Sequence, residues 1–272
     1  MSVFNATRLI GKTVIVTGAS SGIGAATAVL FAKAGSNVIL VARRQEILKQ
    51  VADQCLAAHK ESGLTQGGKF ATVQLDVSDK TQVAGFLDKV PQDLRDIDIL
   101  VNNAGFVLGL DRIGDIKDSD IEGMFATNVF GLISMTQLLV REFKKKQAGH
   151  VINLGSIAGR EPYVGGSVYN ATKSAVRAFT GALLRELVNT PIRVTEIDPG
   201  LVETEFSIVR FRGDTSAAKK VYEGLEPLTG YDIAEEIVWA ASRPPHVNIA
   251  DVLVYPVNQA SAVSTYRKPA NM

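Results

Sequence analysis

The 272-residue chain contains a single cysteine, Cys55, so no disulfide can form within it, and that usage fits a reducing compartment. Cys55 falls in a helical pattern, where a packing role is expected. Net charge is almost absent as well. The 29 basic side chains nearly balance the 28 acidic ones, for a formal +1, which gives no reason to expect nucleic acid or an acidic partner. No His, Cys or Asp cluster at metal-ligand spacing is visible, so no metal is expected. Residues 1–11 lack the apolar stretch of a signal peptide, and no segment approaches the apolar run needed to span a membrane. Residues 267–272 carry no peroxisomal or reticular address. The expected location is the cytoplasm, with no membrane partner. No Pro/Ser-rich linker divides the chain, so residues 1–272 are read as one domain. With 46% hydrophobic residues, that domain can bury a substantial core without staples.

What is present is alternation. Strand-like apolar runs fall at 13–17, 37–41, 71–75, 97–102, 150–154, 193–197 and 252–255. Helical patterns lie between most of them, at 23–34, 45–62, 80–89, 119–145, 168–189 and 233–242. Strands that alternate with helices imply right-handed βαβ units. The continuous Val/Ile/Leu character of the runs is that of parallel strands buried on both faces. The expected architecture is a doubly wound, Rossmann-type α/β domain, with a seven-stranded parallel sheet and helices on both faces. Residues 200–230 lack clear periodicity and are read as an irregular lid or binding segment.

The turn Thr17-Gly18-Ala19-Ser20-Ser21-Gly22-Ile23-Gly24 follows the first strand and opens the first helix. Gly18 lets the chain turn tightly, Gly22 keeps side chains away from a phosphate, and Gly24 allows close helix–strand contact. The helix N-terminus then offers free N–H groups to an anion, so the expected ligand is a dinucleotide. The second strand runs out into Ala42-Arg43-Arg44 with no acid to repel a 2′-phosphate, which favours NADP over NAD. Alternatively, the two arginines are solvated charges opening a helix. Asp76, in Leu75-Asp76-Val77, can accept from an adenine amino group; equally, Asp76 or Ser78 can cap the next helix. Asn102-Asn103-Ala104-Gly105, at the end of the fourth strand, suits backbone passing close to a cofactor. Its asparagines can tie strand ends together.

Chemistry enters in the second half. Tyr169 and Lys173 are four apart in a helical pattern and share a face. Ser156 ends a strand-like run thirteen residues before Tyr169, so both can meet one carbonyl. A phenol with an ordinary pKa of about 10 is a poor base near neutrality, and a nearby ammonium lowers that value. A serine hydroxyl holds the substrate oxygen without titrating. Hydride transfer between a nicotinamide and a carbonyl carbon needs one proton relayed at that oxygen.

Taken together, Thr17 to Gly24, Asn102 to Gly105, Ser156, Tyr169 with Lys173, and Pro199-Gly200 make the chain resemble the short-chain dehydrogenases/reductases over essentially its whole length. The resemblance implies that Asn128 kinks the fourth helix and holds a water contacting Lys173, completing an Asn128–Ser156–Tyr169–Lys173 set. It also implies that Lys173 hydrogen-bonds the nicotinamide ribose and that Thr204 meets the carboxamide. Ser20, Ser21, Ile23, Val77, Ala104, Tyr169, Pro199, Gly200 and Val202 are further expected cofactor contacts. The stretches 97–105, 153–160 and 199–207 and the ending Pro256-Val257-Asn258-Gln259-Ala260 resemble the NADP-dependent 3-hydroxy acid (serine or L-allo-threonine) dehydrogenase branch. That branch implies a small hydroxy-acid or carbonyl substrate and a homo-oligomer, commonly a tetramer. Arg210 offers a bidentate partner to a substrate carboxylate; alternatively it pairs with nearby Glu203 or Glu205. Other expectations are a broad carbonyl reductase, a 3-oxoacyl reductase or, outside catalysis, a nucleotide sensor.

Overall fold

The computed structural model describes residues 6–269; the remaining terminal residues, including parts of the two terminal segments read above, lie outside the described residues. Seven strands form one sheet: β1 (Thr13–Thr17), β2 (Asn37–Ala42), β3 (Phe70–Gln74), β4 (Ile99–Asn102), β5 (Gly149–Leu154), β6 (Ile192–Pro199) and β7 (Asp251–Val254). Their order is β3-β2-β1-β4-β5-β6-β7, and every pairing is parallel. The order reverses between β1 and β4, so their carboxyl ends flank the crevice where such sheets bind ligands.

Successive strand residues feed opposite faces, and both faces are covered. Val14, Val16, Val38 and Leu40 pack under α1 (Gly22–Lys33), α2 (Gln45–Ser62) and α10 (Gly230–Ala241), through Phe31, Leu48, Ile233 and Ile237. Ile15, Ile39, Leu100 and Val151 pack on the other side against Met135, Leu139 and Phe143 of α6 (Leu132–Lys146) and Leu183 of α7 (Ser167–Glu186). Cys55 lies in the first of these layers, where burial pushes its thiol up to about 12, so it is a packing residue.

Several boundaries differ from the sequence reading. Residues 80–89 form two short helices, α3 (Lys80–Ala84) and α4 (Phe86–Lys89), broken at Gly85. Residues 119–145 are not one regular helix: α5 (Asp118–Phe125) passes through a π-helical turn, Ala126–Gly131, into α6. Taken as a single stretch, Asp118–Lys146 is long and apolar enough to cross a membrane by length and composition, contrary to the sequence expectation. Half of its most apolar stretch is buried within the protein, as in the core helix of a globular domain. Residues 200–230 are more ordered than their lack of periodicity implied. They hold α8 (Glu205–Arg210), capped by Thr204, and α9 (Thr215–Lys220), capped by Asp214.

Candidate active site

At the carboxyl ends of the strands lies a cavity of about 700 Å³, lined from the glycine-rich turn at one end to Tyr163 and Arg210 at the other. The turn is built as its residues require. Gly18 has φ +66°, and a Cβ there would approach Asn103 Nδ2 to 2.8 Å and Ala104 Cα to 2.9 Å. A Cβ on Gly24 would collide with the Gly18 carbonyl oxygen and with Asn103 Nδ2. The helix is therefore pressed against the ends of both β1 and β4, a closer approach than any side chain permits. Ser21, the residue preceding α1, makes no side-chain cap, so the helix presents uncapped N–H groups beside Ser20, Ser21, Gly22 and Ile23, which line the cavity. Those features fit the pyrophosphate of a dinucleotide.

Asparagines tie the strand ends as expected. Asn103 Nδ2 donates to Thr17 O (2.9 Å), and Asn102 Nδ2 donates to Asn153 Oδ1 (2.9 Å) and Thr136 Oγ1 (2.8 Å). Arg44 bends over the turn and donates to Ser21 Oγ (2.9 Å) and Ser20 Oγ (3.1 Å), while pairing with Glu205 of α8 at 3.0 Å. Arg43 is largely exposed and stands 4.0 Å from Asp76. Asp76 accepts from Ser78 N and Oγ and caps no helix; neither does Ser78. The cap of α3 is Asp79, whose carboxylate accepts from the amides of Thr81 and Gln82. Val77, Ala104 and Gly105 line the same cavity, as do Pro199, Gly200 and Val202 after β6, and Thr204 faces Gly22 across it.

Four candidate catalytic residues come from three segments. Tyr169 and Lys173 sit one turn apart on α7, with Lys173 Nζ 5.9 Å from the Tyr169 ring centre. Lys173 Nζ donates to Leu154 O at the end of β5 (2.8 Å). Ser156 lies two residues beyond that strand; its backbone N–H donates to Asp198 Oδ1 (2.8 Å) and its hydroxyl accepts from Ala158 N (3.1 Å). Asn128 is buried in the π-helical turn, a distortion often found at functional sites. It clamps the backbone of Phe106, accepting from its N–H (2.9 Å) and donating to its carbonyl (2.8 Å), and donates to Thr172 Oγ1 (3.2 Å).

The electrostatics depart from one expectation. Burial drives the Tyr169 phenol well above its ordinary value, while Ser156 and Arg210 pull it down by less; the Lys173 ammonium is not what sets it. Burial also lowers Lys173 to about 8, opposed by Asp198 and Glu196. Near neutrality, Tyr169 is a neutral O–H donor facing the cavity.

Arg210 does not pair with Glu203 or Glu205. It donates to Tyr163 Oη (3.1 Å), Gly109 O (3.3 Å) and Gly165 O (3.4 Å), and its guanidinium lies 5.4 Å from the Tyr163 ring centre. Sequence reading missed Tyr163, Phe206, which meets Tyr169 edge-on at 5.7 Å, and Asp198 beneath Ser156. Only Asp198 gave a signal, as an acid on a strand just before Pro199-Gly200.

Fold and site together define a dinucleotide-binding oxidoreductase, and residues 12–214 match the short chain dehydrogenases: the chain belongs to that family. It is 47% identical to an NADP-dependent 3-hydroxy acid dehydrogenase of Schizosaccharomyces pombe, over 97% of this chain and 99% of that protein. It is 40% identical to a serine 3-dehydrogenase of Agrobacterium fabrum, over 92% and 96% of the two chains. Among solved structures, the closed form of a serine dehydrogenase complexed with NADP+ superposes with a TM-score of 0.86 at 39% identity, covering 94% of this chain and all of that one.

Proposed function

We propose that the protein is an NADP(H)-dependent oxidoreductase acting on 3-hydroxy acids such as serine or allo-threonine and on related ketones. The observation that carries the acid preference is Arg210. Among the described residues no carboxylate pairs with it, yet it lines the cavity close enough to bias the Tyr169 phenol. A substrate carboxylate supplies the missing partner. The names of the relatives support the same class.

In this reading the glycine-rich turn and the start of α1 hold the pyrophosphate, and Arg43 and Arg44 hold the 2′-phosphate. Asp76 and Val77 border the adenine. Asn103, Ala104 and Gly105 flank the middle of the cofactor. Lys173 meets the nicotinamide ribose, and Pro199, Gly200, Val202 and Thr204 border the carboxamide. The cofactor supplies or accepts the hydride. The proton is handled by the protein. In reduction the neutral Tyr169 hydroxyl donates to the carbonyl oxygen, which Ser156 also holds. In oxidation the phenolate takes that proton back. Asn128 fixes the Phe106 backbone at the cavity wall and links the π-helical turn to α7. Residues 200–230, through α8 and α9, act as the lid. A cytosolic homotetramer completes the reading. It is supported by the family resemblance and by exposed apolar side chains, Phe130 and Val188, on or beside the helices expected to pair.

The test is a ratio. Efficiency toward a 3-hydroxy acid is divided by efficiency toward a neutral ketone, in the parent and in Arg210→Met. Loss of a charge-assisted hydrogen bond of about 1.5–3 kcal/mol lowers the ratio by about ten- to a hundredfold. An unchanged ratio removes Arg210 from substrate binding. The broad carbonyl reductase, which the apolar lining of Leu108, Phe206 and Val209 favours, then leads. No turnover of any substrate with either cofactor would leave only a nucleotide sensor.

A further inference from the structure

Beneath Ser156 and Lys173 lies a pair of buried acids that the chemistry above does not use. Glu196 and Asp198 are two apart on β6 and therefore share a face. Glu196 is 4% exposed and Asp198 is fully buried. Asp198 is fully satisfied as an anion. Its Oδ1 accepts from Ser156 N, and its Oδ2 accepts from Arg160 Nε (2.6 Å) and Arg177 Nη1 (3.3 Å). Both arginines also pair with Asp251 on β7. Glu196 is different: its Oε1 is buried and no donor reaches it. Both carboxyls crowd the space beside Gly155, where a Cβ would collide with Asp198 Oδ1 and Glu196 Oε1 alike. The residue before the catalytic serine is thus a glycine because two acids occupy the place of its side chain.

An ionised Glu196 would put a second buried charge beside Asp198, facing cations that Asp198 and Asp251 already engage, and would orphan an oxygen. A proton on Glu196 removes both problems, because the acid then donates to its neighbour. We propose that Glu196 and Asp198 hold one proton between them, carried by Glu196 near neutrality, and that the pair positions the site. Asp198 fixes the Ser156 backbone, and Glu196 ionises at alkaline pH so that Lys173 keeps its charge.

Every element packed around the pair contributes a titratable or charged group: Asp198 on β6, Lys173 and Arg177 on α7, Arg160 after β5 and Asp251 on β7. Burial first, then Asp198, raises Glu196 to about 8, the range to which burial lowers Lys173. The two groups attract when both are charged, so loss of the Glu196 proton strengthens the hold of Lys173 on its own.

The inference rests on the roles proposed for Ser156 and Lys173, and its first test needs no turnover. Infrared spectra of the NADP-loaded protein at pH 7 should show the carbonyl band of a buried carboxylic acid. The band should be absent in Glu196→Gln and should fade in the parent above about pH 8. A parent without that band overturns the proposal, whatever the substrate proves to be. The second test is the pH profile of kcat with whichever ketone the parent reduces. Glutamine keeps the donor but not the proton. At pH 6.5 kcat should fall less than about threefold, while the alkaline limb moves down by about one pH unit, a loss approaching tenfold on that limb. A superimposable alkaline limb refutes the link to Lys173. An equal loss at all pH values refutes the neutral state of Glu196. Glu196→Met, uncharged and of similar volume, must also lose the band and shift the limb, should the glutamine variant fail to accumulate.

Discussion

In the proposed function Arg44 holds the 2′-phosphate that separates NADP from NAD, and its present partner allows that choice to be weighed. Its guanidinium pairs with Glu205 at 3.0 Å, but the two side chains are 48% and 53% exposed. A pair so open to solvent contributes at most about 1 kcal/mol. A 2′-phosphate offers charge-assisted, bidentate hydrogen bonds of about 1.5–3 kcal/mol. The phosphate therefore outcompetes Glu205, and Arg44 is available to NADPH despite its ion pair. Arg44→Met should weaken NADPH binding by about ten- to a hundredfold and leave NADH within about threefold. Glu205→Gln should act in the opposite sense, tightening NADPH by no more than about fivefold, since it removes only the weaker competitor. The assay is fluorescence titration of each reduced cofactor without substrate, repeated at two ionic strengths. The NADPH advantage should shrink as salt rises. Equal weakening of both cofactors in Arg44→Met would mean that the arginine only braces the Ser20–Ser21 turn, and the argument from charge would fail.

Two further perturbations probe the chemistry and the cradle. Tyr169→Phe should bind NADPH normally and lose about 10²–10⁴-fold in kcat; retention of most turnover would exclude Tyr169 as the proton donor. The phenol is held above its ordinary value, so it is protonated near neutrality, and oxidation, which needs the phenolate, should accelerate as pH rises while reduction does not. An oxidation rate flat between pH 6 and 9 would contradict that assignment. Gly24→Ala places a methyl against the Gly18 carbonyl and Asn103 Nδ2. Overpacking of about 1–3 kcal/mol should lower Tm by about 3–10 °C and weaken cofactor binding, as thermal unfolding with and without NADP+ would show.

Legibility in the sequence follows the range over which each feature is encoded. The buried strands were readable because a strand covered on both faces needs a continuous apolar run, and Val14 to Val16 or Val38 to Val41 satisfy that within a few residues. The break at Gly85 was not readable, and the π-helical turn at Ala126–Gly131 was foreshadowed only by the family resemblance, which implied a kink at Asn128, and not by residue spacing. Neither interrupts the apolar spacing, and one extra residue in a turn leaves no mark on composition. The helices α8 and α9 did carry signals, the caps Thr204 and Asp214, but each is too short to establish a 3.6-residue period. In the site, the glycine-rich turn and the Tyr169–Lys173 pair are local patterns. Tyr163 and Phe206 reach the cavity, and Asp198 reaches the backbone of Ser156, from separate segments, so no spacing announces them.

Arg210 shows how a local reading goes astray when side-chain direction is left out. Glu203 and Glu205 are its sequence neighbours, and charge alone makes them natural partners. Thr204, however, caps α8 by accepting from Phe206 N, so Glu205 is the first residue of a helix and Arg210 the last. Five residues at 100° each place the two side chains about 140° apart around the helix axis. Glu205 is turned toward Arg44 and the glycine-rich turn, and Arg210 toward Tyr163 and the Tyr169 end of the cavity. One six-residue helix thus sends its acid to Arg44 beside the glycine-rich turn and its base to Tyr163. The cap that creates the helix turns Glu205 away from Arg210, and in the proposed function the donors left on the guanidinium meet a substrate carboxylate.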